Sequence, residues 1–322
     1  MEKIVESKKT NSDPKISIII PTLNRPYFLK QSVQSVLDQT VSASEIIIIN
    51  DGSRNNFKNK IQDITKLNPR ISIYHFPKTK GVAVARNFGI GKARGNYLLF
   101  LDDDDIILPK MLESCLSVFK QDGDIDVVSC LADIFFSYNT FESFLSCGQK
   151  RINRYFSKRL FFQRRINYKK VEQSPFSIIL KHGLLINSCL IKKESIGAVR
   201  FPEDLALGED LYFWITLAYR GCRFKFIPKV YALVRQHSGN ARLKQRNKDS
   251  RLSLFSKLLS SEMVRKRKDL FICHLWHLRS TNKLNISENL RHLGFVLKSP
   301  DLIMKNLFWY CTNWLKTRLN VK

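Results

Sequence analysis

Tyr97-Leu98-Leu99-Phe100-Leu101-Asp102-Asp103-Asp104-Asp105 (residues 97–105) decides how this chain is read. Five apolar residues followed at once by four carboxylates describe a buried strand with dense negative charge at its carboxyl end. Adjacent anions repel one another and resist burial unless a cation or a ligand compensates them. Hard divalent ions such as Mg²⁺ or Mn²⁺ favour carboxylate oxygens and bridge readily to phosphates. A solvated acidic turn has the same local sequence, so the choice between the two rests on the surroundings.

Upstream, strand and helix patterns alternate. Ile16–Ile20 is a β-rich run closed by Pro21, and residues 27–38 place Leu29, Val33, Val36 and Leu37 at helical spacing. Glu45–Ile49 is a second buried strand, followed by the turn Asn50-Asp51-Gly52-Ser53. Ile71–Phe76 is a third, stopped by Pro77, and residues 82–93 read as a helix. Solidly apolar strands alternating with helices predict an α/β fold with a mostly parallel sheet covered on both faces. In such sheets ligands bind beyond the carboxyl ends of the strands. Three strands here end in polar residues: Thr22-Leu23-Asn24-Arg25, Asn50-Asp51-Gly52-Ser53 and Asp102–Asp105. Parallel pairing brings these ends to one edge, which favours a ligand site over an acidic turn.

The 322 residues are 44% hydrophobic, enough for a full core, and carry a net charge of +26. That charge is uneven. Residues 1–130 hold 18 basic and 15 acidic side chains, whereas residues 131–322 hold 36 and 13. The second part therefore faces an anionic partner. The cysteines at 115, 130, 147, 189, 222, 273 and 311 are scattered without a CxxC pair, which argues against a disulfide framework or a zinc site and fits a reducing cytoplasm. The polar N-terminus has no apolar signal core, and no run approaches the roughly 18 apolar residues of a spanning helix.

Six motifs, in order, resemble those of glycosyltransferase family 2. They are Ile18-Ile19-Ile20-Pro21-Thr22-Leu23-Asn24-Arg25, Ile48-Ile49-Asn50-Asp51-Gly52-Ser53, the stretch from Gly81 through Arg86-Asn87 to Ala93-Arg94-Gly95, Phe100–Asp105, Gly208-Glu209-Asp210, and Tyr231–His237. The resemblance covers about residues 16–240 and implies an inverting enzyme with a Rossmann-like GT-A fold. It implies that Asp51 accepts from a uracil ring, with Pro21, Thr22, Asn24 and Arg25 lining the base and ribose pocket. A carboxylate suits an imide N–H because it only accepts; an Asx-turn after the strand is the plainer role for Asp51. Asp102 and Asp104 fit a DxD pattern, in which Asp102 and Asp103 face the nucleotide and Asp104 ligates Mn²⁺ or Mg²⁺ on the diphosphate. Because the run is aspartate throughout, Asp103 and Asp105 satisfy the same spacing. Arg86 is either a charge near the phosphates or a salt-bridge partner. Asp210 is the expected base that takes the acceptor's proton, supported by Glu209; an acidic helix start is the alternative for that pair. His237 is implied as a further metal or diphosphate contact. Trp214 sits at helical spacing with Leu211, Leu217 and Ala218, which fits a core residue better than a sugar-stacking platform.

The chain then divides into a disordered lead-in (1–15), a nucleotide-sugar-binding half (16–115), an acceptor-binding half (116–242) with a basic, aromatic insertion near 141–175, and a basic amphipathic helical extension (243–322). Basic residues among aromatics suit nucleic acid in principle, but no nucleic-acid-binding signature accompanies them. An anionic membrane surface fits better. The expected enzyme is peripheral on the inner face of the cytoplasmic membrane. It takes a nucleotide-sugar donor, with UDP expected, and a saccharide or lipid-linked saccharide acceptor, in capsule, polysaccharide or lipopolysaccharide synthesis. Two other classes compete. A nucleotidyltransferase leaves Glu209-Asp210 unexplained, and a binding protein with an inactive domain leaves the intact acids at 51, 102, 104 and 210 unexplained.

Overall fold

The computed structural model describes residues 14–54, 57–61, 63–136, 172–237, 253–254 and 257–258. The chain separates into two compact units, residues 1–246 and 247–322. The first unit begins with β1 (Ile16–Thr22), α1 (Pro26–Leu37), β2 (Glu45–Asp51), α2 (Phe57–Ile61), α3 (Ile64–Leu67), β3 (Ile71–Phe76), α4 (Val82–Lys92), β4 (Tyr97–Phe100), β5 (Ile106–Ile107) and α5 (Met111–Gln121). There follow β6 (Val127–Phe136), α6 (Pro175–His182), a 3₁₀ turn (Ile186–Ser188), β7 (Cys189–Lys192), α7 (Lys193–Ile196), α8 (Glu209–Tyr219) and β8 (Phe224–Gln236). The basic segments expected at 141–175 and 243–322 lie outside the described residues, apart from 172–175, 253–254 and 257–258.

The strands form one eight-stranded sheet in the order β3-β2-β1-β4-β7-β6-β8-β5. β3, β2, β1 and β4 run parallel, as the apolar runs predict. β7 is antiparallel to both β4 and β6, β8 is parallel to β6, and β5 is antiparallel to β8. The parallel half thus carries a mixed half on its β4 side.

Alternation along the strands sorts side chains to two covered faces. Ile16, Ile18 and Ile20 of β1 and Ile46 and Ile48 of β2 share a core with Leu29, Val33 and Val36 of α1 and Met111, Leu112 and Cys115 of α5. Each fully buried isoleucine contributes about 1.5–3 kcal/mol relative to exposure, so these faces drive the collapse. On the opposite face α4 lies across β1 and β2. Gly89 permits the approach, since a Cβ there would stand 2.4 Å from Ile19 Cγ2. Further along, Phe201 stacks on Phe213 with ring centroids 4.1 Å apart and meets the edge of Phe100 at 5.0 Å, seating α8 under β4.

Pro21 does not close β1. It pairs with Ile49, and the strand continues to Thr22. The Ile19 carbonyl accepts from Leu101 N at 3.0 Å, so Ile19 and, two residues on, Pro21 face β4. β4 ends at Phe100, so the missing N–H of Pro21 removes no ladder bond. Pro228 is similarly tolerated within β8, where the pairing with β6 jumps from Ile227 to Val230 in a bulge.

Candidate active site

The parallel register sets Thr22 beside Asn50 at the end of β1 and β2, with the acidic run leaving β4 on the other side of β1. The three polar strand ends therefore meet at one edge, as the sequence predicts. Two loops are tied together there. Asn24 adopts φ 58°, the left-handed region that an asparagine enters more readily than most residues. Its N–H donates to Ser53 Oγ at 2.8 Å, and its Oδ1 accepts from Arg54 N at 2.9 Å. The side-chain bond that closes the turn after β2 belongs to Asn50, whose Oδ1 accepts from Ser53 N at 3.1 Å. Asp51 reaches across instead: its two carboxylate oxygens accept from Lys80 N at 2.7 Å and Gly81 N at 2.9 Å, fixing the entry to α4. Each oxygen retains a second lone pair for a further donor.

The four aspartates are chemically identical but sit in four environments. Asp102 keeps a third of its side chain exposed and accepts from Arg86 Nη2 at 2.6 Å. Asp103 is fully buried; its Oδ2 accepts from Thr22 Oγ1 at 2.6 Å, and its Oδ1 lies 2.6 Å from Arg25 Nη2 in an ion pair. Burial pushes the Asp103 carboxyl up to about 7, against the pull of Arg25. Asp104 Oδ2 contacts Arg25 Nη1 and, at 3.0 Å, His237 Nε2. Burial opposes ionisation of Asp104, but the His237 hydrogen bond and the Arg25 charge outweigh it and hold this carboxyl below the usual range. Asp105 turns inward, accepting from Asn187 Nδ2 at 2.8 Å and Arg235 N at 2.9 Å.

Arg86, buried on α4, links this run to the start of α8. Its Nη2 donates to Asp102 and its Nη1 to Glu209 Oε1 at 2.8 Å. Burial depresses the charge on Arg86, yet Asp102, Glu209 and Asp210 raise its pKa well beyond the ordinary value. Glu209 is itself raised, by burial first and then by the neighbouring Asp210 charge. Gly208, at φ 86°, turns the chain into α8, so Glu209 and Asp210 occupy its first turn. Asp210 is half-buried beside this pair, and its Oδ1 accepts from Leu211 N at 2.8 Å. The acidic pair thus opens a helix, the alternative that the sequence offered for it. Trp214 is fully buried in the core, as its spacing predicts.

Arg235 is the residue that the sequence motif contained without revealing its work. Its Nε donates to the Asp104 carbonyl at 2.7 Å and its Nη2 to Gln31 Oε1 at 2.6 Å, and its guanidinium lies over the rings of Phe28 and Phe135 at 4.7 and 4.4 Å. Ser32 adds a hydrogen bond to the Asp102 carbonyl at 3.0 Å. The signal for Arg235 is its position two residues before His237, which puts both at the same end of one strand. Nothing local marks Asn187, Gln31 or Ser32.

One carboxylate oxygen from each of Asp102, Asp104 and Asp105 lies within 4.8 Å of the others. Asp105 is committed to Asn187 and Arg235, which leaves Asp102 and Asp104, with the imidazole of His237, turned toward the edge. Carboxylate oxygens suit Mn²⁺ or Mg²⁺, and an imidazole beside them fits the softer of the two, Mn²⁺.

A parallel sheet edge with a DxD cluster, helices on both faces and an acid-bearing helix opposite is the arrangement of GT-A glycosyltransferases. Solved structures agree with that fold. Staphylococcus aureus TarS 1–349 in complex with UDP-GlcNAc aligns with a TM-score of 0.59 at 17% identity, covering 90% of this chain and 80% of TarS 1–349. The mannosyltransferase PcManGT of Pyrobaculum calidifontis, in complex with GDP-Man and Mn²⁺, gives a TM-score of 0.59 at 15% identity over 89% of this chain and 81% of its own. Among curated relatives, an uncharacterized glycosyltransferase of Rickettsia bellii is 32% identical over 247 residues, 76% of this chain. The chain spans only 32% of that relative's length. The family profile "Glycosyl transferase family 2" matches residues 17–179. The chain belongs to glycosyltransferase family 2.

Proposed function

We propose that this chain transfers a sugar, with inversion, from a UDP-sugar to a saccharide or lipid-linked saccharide acceptor of the bacterial cell surface. The observation that carries the reading is the Asp102–Arg86–Glu209 bridge, which ties the start of α8, and with it Asp210, to the acidic edge of β4. Pro21, Thr22, Asn24, Arg25 and Asp51 form the base and ribose side, and Asp51 accepts from the uracil imide through its remaining lone pairs. Asp103 supports this side by holding Thr22 and Arg25. Asp104 and His237 would hold a divalent cation, with Asp102 beside them. When bound, the cation supplies Lewis-acid stabilisation of the diphosphate leaving group. Asp210 takes the proton from the acceptor hydroxyl as that oxygen bonds to the anomeric carbon and the bond to the diphosphate oxygen breaks on the opposite face. Glu209, paired with Arg86, keeps the helix start in place. A nucleotidyltransferase has no use for Asp210.

The donor base rests on Asp51, because the fold neighbours carry UDP-GlcNAc in one case and GDP-Man in the other. The minor teichoic acid biosynthesis protein GgaB of Bacillus subtilis, 28% identical over 64% of this chain, supports a surface-polymer acceptor. A location on the inner face of the cytoplasmic membrane rests on the basic charge of residues 131–322. Among the described residues no helix is long and apolar enough to cross a membrane.

The test is nucleotide release from UDP-, GDP- and dTDP-sugars with Mn²⁺ present. UDP release above the other two is expected, and Asp210→Asn should abolish transfer while leaving UDP and Mn²⁺ binding within about twofold. Release from GDP-sugars alone overturns the uracil assignment. Equal loss of nucleotide binding in Asp210→Asn removes Asp210 from the role of base.

A further inference from the structure

Arg25 occupies an unusual station. It precedes α1, directly after Asn24, and so belongs to the loop clasped to Ser53 and Arg54. Its two terminal nitrogens are split between two neighbouring carboxylates, Nη2 on Asp103 and Nη1 on Asp104. The two partners differ in kind. Asp103 is fully buried, where a carboxylate without a counter-charge is costly, so the guanidinium is harder to withdraw from it than from Asp104. Asp104 lies at the edge, has the His237 imidazole on the same oxygen, and is the carboxylate assigned to the cation under the proposed function. The Arg25 side chain itself is 34% exposed, which leaves its Nη1 room to move while the guanidinium stays beside Asp103.

We propose that Arg25 is an intramolecular rival of the divalent cation at Asp104, and that it passes its freed charge to the donor diphosphate when the cation takes that carboxylate. A monovalent guanidinium and a divalent ion cannot both sit on Asp104 Oδ2 without repelling each other at close range. Cation binding alone therefore works against the Arg25–Asp104 pair, and the apparent affinity falls by the fraction of protein in which that carboxylate is released. A nucleoside diphosphate offers the displaced nitrogen a new anionic partner that a guanidinium recognises well. Donor and cation then bind with positive cooperativity, and the coupling is reciprocal. Because Asn24 and Arg25 are consecutive, the base-side loop reaches the metal ligand Asp104 through the Arg25 side chain.

This inference rests on the reading of Asp104 as a cation ligand, and the experiment separates the two. Mn²⁺ binding is followed by electron paramagnetic resonance of the free ion, without nucleotide and with saturating UDP or GDP, on the full chain and on Arg25→Gln and Arg25→Lys. The wild type is expected to bind Mn²⁺ weakly alone and more tightly with nucleotide. Arg25→Gln should bind Mn²⁺ alone roughly tenfold more tightly and gain less from nucleotide than the wild type does, keeping only the part that the diphosphate oxygens themselves supply. Arg25→Lys keeps a charge for Asp103 but lacks the second arm, so it should fall between them; it also carries the test if loss of the Asp103 partner prevents Arg25→Gln from folding, as a melting curve reports. Folded variants that bind Mn²⁺ alone no more tightly than the wild type overturn the rivalry and leave the site reading standing. A wild type that binds Mn²⁺ under none of the three conditions overturns both.

Discussion

Asp105 is the aspartate whose loss should be felt in stability. Its two oxygens accept from Asn187 Nδ2 and Arg235 N, so an amide in its place turns an N–H₂ group toward one of two N–H donors. Asp105→Asn is expected to cost about 1–3 kcal/mol in urea unfolding, the penalty of a buried donor left without an acceptor. An unchanged midpoint means that Asp105 does not fasten the run to β8. None of this is legible in four identical letters. The sequence identifies the run, its place after a strand and its companions Thr22 and Asp51, because those follow from local pattern. The division of labour among Asp102 to Asp105 depends on partners up to 133 residues away, and Asn187 and Gln31 carry no local mark of that duty.

Elements divide in the same way. β1, β2 and β4 are buried on both faces, so their sequences are unbroken apolar runs that announce parallel strands. β5 has two residues and β7 four, too short for any period, and β8 interrupts its alternation with Pro228 at a bulge. Their pairing is set by tertiary context. α4 offers a test of how tightly an element is fixed. Gly89→Ala places a Cβ against Ile19 Cγ2, and the overpacking is expected to cost about 1–3 kcal/mol. Gly91→Ala, on the same helix with nothing within 4 Å of its Cβ, should instead gain up to about 1 kcal/mol from helix propensity. Two variants of equal stability in thermal unfolding contradict the close seating of α4 on β1.

At the scale of the whole molecule the dominant fact is charge. The edge of the sheet gathers carboxylates, while the excess of basic residues lies after position 130. The proposed attachment to an anionic surface would act through many weak contacts that salt weakens. Removing residues from 301 onward, which takes away Trp309, Tyr310 and Trp314 with several lysines and arginines, should lower co-sedimentation with phosphatidylglycerol vesicles at low ionic strength by several-fold. Sedimentation that stays at the full-length level removes this segment from membrane attachment.

The fastening of Arg235 to Gln31 joins residues 204 positions apart, and Arg86 reaches Glu209 across 123. During synthesis the first strands can pair as soon as they leave the ribosome, because their contacts are near in sequence. The acidic turn, by contrast, waits for β8, which brings Arg235 to its backbone and His237 to Asp104. A nascent chain can therefore own a nearly finished sheet and still be unable to grip a cation or a donor. Under the proposed function, competence would arrive with β8, and an interrupted translation product would lack the cation site and spend no activated sugar.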